Sequence, residues 1–291
     1  MTSRPRIGTV SGASGELGAL RWAGIDGAPT VIAVHGITSN AWHFDPLMHH
    51  LAGAAHVVAV DLRGRGRSAD HPGPFGIFEH AADIAQVAAA IPGRKIVVGH
   101  SMGASVALAA AEISTQIDDL VLVDGGTPLG EPEADHVDAD AMIDATLGPS
   151  VERLRTLWPD RVSYQAMWAG HPAFVEGISV DLERNLLADL VEVPGGFRAA
   201  VSEEAVRVDG RQLFADEHVR GLLGRRSHPV HIVRAPAGLD GAPPPLISDE
   251  VMAAFPEHRW HVVPETNHYT VMLSPKGASA VAGIVRSVLA R

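Results

Sequence analysis

Hydrophobic residues fall in two patterns along this chain. Short unbroken apolar runs occur at 30–36 (TVIAVHG), 56–64 (HVVAVDLRG), 95–101 (KIVVGHS) and 119–125 (DLVLVDG). Each is rich in β-branched residues, ends in turn-forming residues and is too short for an independent helix, which predicts strands buried on both faces. Between them lie segments compatible with helices, at roughly 43–52, 77–91 (apolar at Ile77, Ile84, Val87 and Ile91) and 102–113. Strand–helix alternation predicts a doubly wound α/β sheet. Upstream, GELGALRWAG (15–24) reads as an antiparallel edge strand or hairpin.

The alternation stops at Thr127. An acidic stretch follows, EPEADHVDAD (131–140), and then the amphipathic segments VERLRTLW, VSYQAMW, DLERNLLADLVEV and GRQLFADEHVRGLL, with no buried-strand run among them. The pattern resumes with PVHIVRAP (229–236), a helix near 248–254, HRWHVVPE (258–265) and a terminal helix at 276–290. Residues 1–126 and 227–291 are therefore expected to form one core. Residues 127–226 are expected to be a helical cap, inserted after the sixth strand and seated on the carboxyl edge of the sheet.

Composition narrows the function classes. The 291 residues carry a formal net charge of −11, which repels a phosphate backbone, so no nucleic-acid partner is expected. Cysteine is absent, which excludes disulfides and thiolate chemistry. No apolar run approaches the roughly 20 residues of a membrane span, and no secretory leader is visible in MTSRPRIGTV. A cytoplasmic protein is the expectation, either monomer or homodimer. The near-absence of lysine (only Lys95 and Lys276) suggests a GC-rich bacterial source.

The stretch VVGHSMGAS (97–105) carries the chemistry. Gly-x-Ser-x-Gly between a strand and a helix describes a strained turn that lifts the Ser101 hydroxyl above the sheet. Gly99 and Gly103 are required there because a side chain would strike the neighbouring strand or helix. A serine hydroxyl is a weak nucleophile and needs a base. Of sixteen histidines, His268 follows the last strand, where the base arrives in the chain order Ser, acid, His. Two carboxylates qualify as the orienting acid. Asp240 follows the penultimate strand and is preferred; Asp124, at the end of VLVDG, is the alternative. The backbone N–H groups of Ile37 and Met102 are the expected oxyanion donors.

Other polar clusters read as structural. His35 is expected to be buried, holding loop carbonyls near the oxyanion turn. The basic run in DLRGRGRS (61–68) reads as a tight turn, with Arg63 paired internally to an acid such as Asp61. No metal motif is present, since His49 and His50 lack helical ligand spacing. Trp158, Tyr164, Met167, Trp168 and Phe174 are candidate pocket-lining residues of the insertion.

HGITSNAWHF, DLRGRGRS, GHSMG, VLVDG and TNHY occur in the order seen in the α/β-hydrolase superfamily, and the chain resembles its lid-bearing esterase, lipase and C–C hydrolase branch. The resemblance spans about 15–126 and 227–291. It implies a mostly parallel eight-stranded sheet flanked by helices, Ser101 as nucleophile, His268 as base, Ile37 and Met102 as oxyanion donors, and no cofactor. The sequence departs from the family at the acid: RAPAGLDGAPPP lacks the glutamate of the Gly-Glu-x-Asp loop common in relatives. A serine at the elbow, rather than aspartate, implies attack on an acyl carbon.

The expected activity is therefore a serine hydrolase of carboxylesterase type, acting on a small to medium apolar ester, thioester or lactone. A C–C hydrolase or an acyltransferase could use the same triad. A ligand-binding protein that kept the fold without turnover is the alternative of another class.

Overall fold

The computed structural model describes residues 4–129, 138–175, 177–178 and 180–291. Ten strands occur in it: β1 (Arg6–Gly12), β2 (Gly15–Trp22), β3 (Thr30–Val34), β4 (His56–Val60), β5 (Lys95–His100), β6 (Asp119–Val123), β7 (Leu190–Val193), β8 (Gly196–Ala199), β9 (His231–Arg234) and β10 (Arg259–Val262). Eight of them form one sheet, in the order β1-β2-β4-β3-β5-β6-β9-β10. Only β2 runs against its neighbours; every other pairing is parallel. The 15–24 segment is thus one arm of an edge hairpin.

The helices are α1 (Asp45–Leu51), α2 (Ile77–Ala90), α3 (Met102–Ile113), α4 (Ala139–Arg155), α5 (Arg161–Ala169), α6 (Val180–Leu187), α7 (Glu203–Ala215), α8 (Glu217–Arg220), α9 (Asp249–Ala254), α10 (Thr270–Leu273) and α11 (Pro275–Leu289). Successive strand residues point to opposite faces, so each unbroken apolar run feeds two cores. Ile32, Val34, Val58, Val60 and Val97 pack with Ile77, Ile84, Val106 and Leu108 of α2 and α3. Val31, Ala33, Val57, Ala59, Ile96 and Val98 pack on the other face with Leu47, Leu51, Val281 and Val285 of α1 and α11.

Register then fixes where chemistry can sit. Val34 lies opposite Gly99, His100 opposite Val123, and Val123 opposite Val233. The loops that leave β3, β5, β6 and β9 therefore open on one edge. The chain also reverses direction across the sheet between β3 and β5, with β4 on one side and β5 on the other. Ligands of open α/β sheets bind at such a reversal.

Between β6 and β9 the chain leaves the sheet and forms α4 to α8. Most of the acidic stretch, 131–137, lies outside the described residues. One expectation needs correction. DLERNLLADLVEV is not a single amphipathic segment: α6 stops at Leu187, and β7 pairs with β8 across Pro194-Gly195-Gly196. Both turn glycines have positive φ, at 90° and 154°, a backbone region that favours glycine, so the hairpin signal was the turn rather than the strands. Buried ion pairs fasten this segment internally and to the core. Arg153 pairs with Asp189, and Arg65 of the core pairs with Asp209 of α7 at 2.6 Å. Among the described residues no helix is long and apolar enough to cross a membrane.

Candidate active site

Ser101 sits between β5 and α3 with φ 57° and ψ −123°, a conformation that non-glycine residues rarely adopt. Its N–H donates to Val123 O at 2.9 Å and continues the β5–β6 ladder. A Cβ on Gly99 would lie 2.2 Å from Gly103 O, and one on Gly103 would lie 2.0 Å from Val34 O. Close packing of strand on helix is what holds the strained serine in place.

His268 lies in the loop between β10 and α10. Asn267 shapes that loop: its Oδ1 accepts from the N–H groups of Tyr269 and Thr270, at 3.0 and 2.9 Å, and its Nδ2 donates to Ala173 O. His268 Nε2 lies 3.1 Å from Ser101 Oγ, and His268 Nδ1 lies 2.7 Å from Asp124 Oδ2. With Nδ1–H donating to the carboxylate, Nε2 is free to accept the serine proton. The other carboxylate oxygen of Asp124 accepts from Ala235 N–H at 3.0 Å.

The preference for Asp240 is thereby corrected. Asp240 is exposed, and its Oδ1 accepts from Ala242 N–H at 3.0 Å, an Asx turn before Gly241. The loop still reaches the site through Leu239, which lines the cleft, and through Gly238 O, which accepts from His268 N–H.

The loop after β3, which carries the expected donor Ile37, borders Ser101. Among the described residues no hydrogen bond within the fold uses the Ile37 or Met102 N–H. His35 is fully buried. Leu62 N–H donates to its Nε2 at 3.0 Å, so its Nδ1–H donates to Gly36 O at 2.8 Å. Burial pushes its pKa down to about 3, which keeps it neutral. The 61–68 turn also reads as structural, with one partner corrected. Arg63 meets Asp83 at 2.6 and 2.7 Å, whereas Asp61 takes Arg67 and Ala41 N–H. Asp83 comes from α2, so no local spacing revealed it.

Two further histidines stack beside the site. His43 lies 4.5 Å from His100 between ring centroids, and His100 lies 4.8 Å from His268. His100 Nε2–H donates to the His268 carbonyl at 2.9 Å. Burial pushes His43 down to about 3 and holds His100 well below the ordinary histidine range. Both stay neutral beside the His268 ring.

A cleft opens over Ser101 and His268. Trp168 and Phe174 line it, as expected. Trp158, Tyr164 and Met167 do not; Trp158 packs against Tyr164, whose hydroxyl bonds Arg153 and Asp189. Asn40, His43, Asn185, Asp189 and Tyr269 are among the other lining residues. Sequence reasoning missed them because they come from three separate segments. A second recess, lined by Met102, Leu129, Leu213 and Phe214, meets the first at Ser101.

The model of the Alpha/beta hydrolase family matches residues 31–281. A 2-(acetamidomethylene)succinate hydrolase of Mesorhizobium japonicum is 30% identical over 254 residues, 85% of this chain and 84% of the relative. A solved E-2-(acetamidomethylene)succinate hydrolase superposes with a TM-score of 0.78 at 26% identity, covering 97% of this chain and 99% of that one. An esterase of Mycobacterium tuberculosis superposes with a TM-score of 0.66 at 25% identity, covering 99% and 92% of the two chains. The chain belongs to the alpha/beta hydrolase family.

Proposed function

We propose that this protein is a serine hydrolase that cleaves an acyl bond through an acyl-enzyme intermediate. The observation that carries the reading is the continuous contact Ser101–His268–Asp124, at 3.1 and 2.7 Å, with the serine on a strained elbow. In this reading Ser101 Oγ attacks the acyl carbon while its proton passes to His268 Nε2. Asp124 holds the imidazole tautomer and stabilises the imidazolium. The Ile37 and Met102 N–H groups donate hydrogen bonds to the developing oxyanion. His268 then protonates the leaving group, and a water molecule, deprotonated by the same ring, releases the acid.

Residues 1–126 and 227–291 act as the core, and 127–226 as a lid that roofs the cleft through Trp168, Phe174, Asn185 and Asp189. A closed roof excludes water and strengthens the electrostatics at the oxyanion. The Mesorhizobium relative acts on an acetamido-bearing succinate, which supports including amides beside esters, thioesters and lactones. C–C cleavage and acyl transfer would use the same residues.

The test is steady-state turnover of p-nitrophenyl acetate and butyrate, an acyl thioester and an N-acetyl amide by native protein and Ser101→Ala. The reading expects turnover that disappears in the variant. A ligand-binding protein without turnover would hydrolyse none of them. A vinylogous diketone and an added alcohol acceptor separate C–C cleavage and acyl transfer.

A further inference from the structure

We propose that Arg65 and Arg153 are positioning residues for the oxyanion loop, each anchored by a carboxylate of the 127–226 insertion, so that seating the insertion aligns the Ile37 N–H. The inference rests on the hydrolase reading above and concerns how that site is assembled.

Three successive carbonyls of the loop are held. Gly36 O accepts from His35 Nδ1 at 2.8 Å and from Ser39 N–H at 3.2 Å. Ile37 O accepts from Arg65 Nε at 3.0 Å. Thr38 O accepts from Arg153 Nη2 at 3.2 Å. In a trans peptide the N–H points opposite the carbonyl of the same unit, so fixing Gly36 O directs the Ile37 N–H. Fixing Ile37 O and Thr38 O removes the rotations that would carry that N–H away or swing a carbonyl into the hole.

Only the first of these holds comes from the core alone. Arg65 is fully buried, and its guanidinium meets Asp209 of α7 at 2.6 Å; the same carboxylate takes His80 Nε2 at 2.9 Å. Burial opposes the charge on Asp209, but Arg65 and His80 outweigh it and hold the carboxyl below the usual range. Arg153 belongs to the insertion itself. It is bound by buried Asp189 and by the Tyr164 hydroxyl, and it stacks 5.3 Å from the Trp168 ring centroid. A buried guanidinium without its carboxylate is strongly disfavoured, so each arginine stays at the loop only while its partner is seated. Asp189 also lines the cleft, which places one anchor within reach of a bound substrate. Beyond roofing the cleft, the insertion thereby holds the loop that carries the Ile37 N–H.

Arg65→Lys and Arg153→Lys keep the charge opposite each carboxylate and lose the planar fork, so both variants are expected to fold. The measurements are kcat and KM for a p-nitrophenyl ester, the pH profile of kcat, thermal unfolding, and crystal structures of both variants. Loss of an oxyanion donor costs about 100- to 1000-fold. Misaligning one is expected to lower kcat by about tenfold or more, with KM and the pH profile unchanged and the 36–37 and 37–38 peptides rotated. Variants that fold with native melting, keep kcat within twofold and keep the native 36–38 backbone would overturn the proposal. If native protein shows no turnover, the hydrolase reading fails, and the backbone at 36–38 in the two crystal structures still decides the positioning claim.

Discussion

Asp124 and His268 are 144 positions apart in the chain and 2.7 Å apart in the fold. Asp124 directly follows β6 at φ 45°, and the loop after β10 brings the imidazole over it. In the triad reading Asp124→Asn presents an amide to Nδ1 and selects the wrong tautomer. It is expected to lower kcat about 10⁴-fold, whereas Asp240→Asn, which changes an exposed turn, leaves kcat within about twofold. Steady-state ester kinetics on the two variants decide between the acids.

Gly99 and Gly103 are expected to tolerate no side chain, because the obstructing atoms are backbone carbonyls rather than flexible side chains. Gly103→Ala must push α3 away from β3. A loss of about 3 kcal/mol, the upper end of ordinary overpacking, is expected. Urea unfolding of native and variant protein measures it.

The stacked histidines make stability fall in acid. His43 has a folded pKa of about 3, below its ordinary value, because burial disfavours the charged ring. As pH drops below the unfolded value of about 6.5, the unfolded chain takes up a proton that the folded chain refuses. Stability is therefore lost from about pH 6.5 downward and levels off near 3. His43→Phe removes one such group. Its stability is expected to fall less steeply between pH 6 and pH 4, by about 1.4 kcal/mol per pH unit, read from urea midpoints of the two proteins.

Arg63 and Asp83 form a buried ion pair, each side chain about 1% exposed. Arg63→Met leaves the carboxylate buried without its partner and is expected to cost about 3–5 kcal/mol. Replacing both, Arg63→Met with Asp83→Leu, is expected to recover most of that loss. A double-mutant cycle in denaturant measures the coupling.

Much of this fold was legible because its signals are local. The unbroken strands, the Gly-x-Ser-x-Gly turn and the position of His268 after the last strand are each contained in a few consecutive residues. The acid was not. Asp124 and Asp240 both follow strands that end on the same edge, and only the turn at 240–242 directs one carboxylate outward. The partner of Arg63 was missed for a related reason: Asp83 is twenty positions away on another element. The β7–β8 hairpin was hidden because Leu190–Val193 continues the apolar spacing of α6, and only Gly195 and Gly196 mark the reversal. The holds on the oxyanion loop were beyond sequence reading, since Arg65 and Arg153 bond carbonyls, which leave no trace in residue identity.

The nucleophile is the claim on which the mechanism depends, and covalent capture addresses it directly. Native protein is treated with a fluorophosphonate, digested and analysed by mass spectrometry. A single adduct on Ser101, absent in Ser101→Ala and formed more slowly in Asp124→Asn, is the expected result. No adduct, or an adduct on another residue that persists in Ser101→Ala, would contradict it.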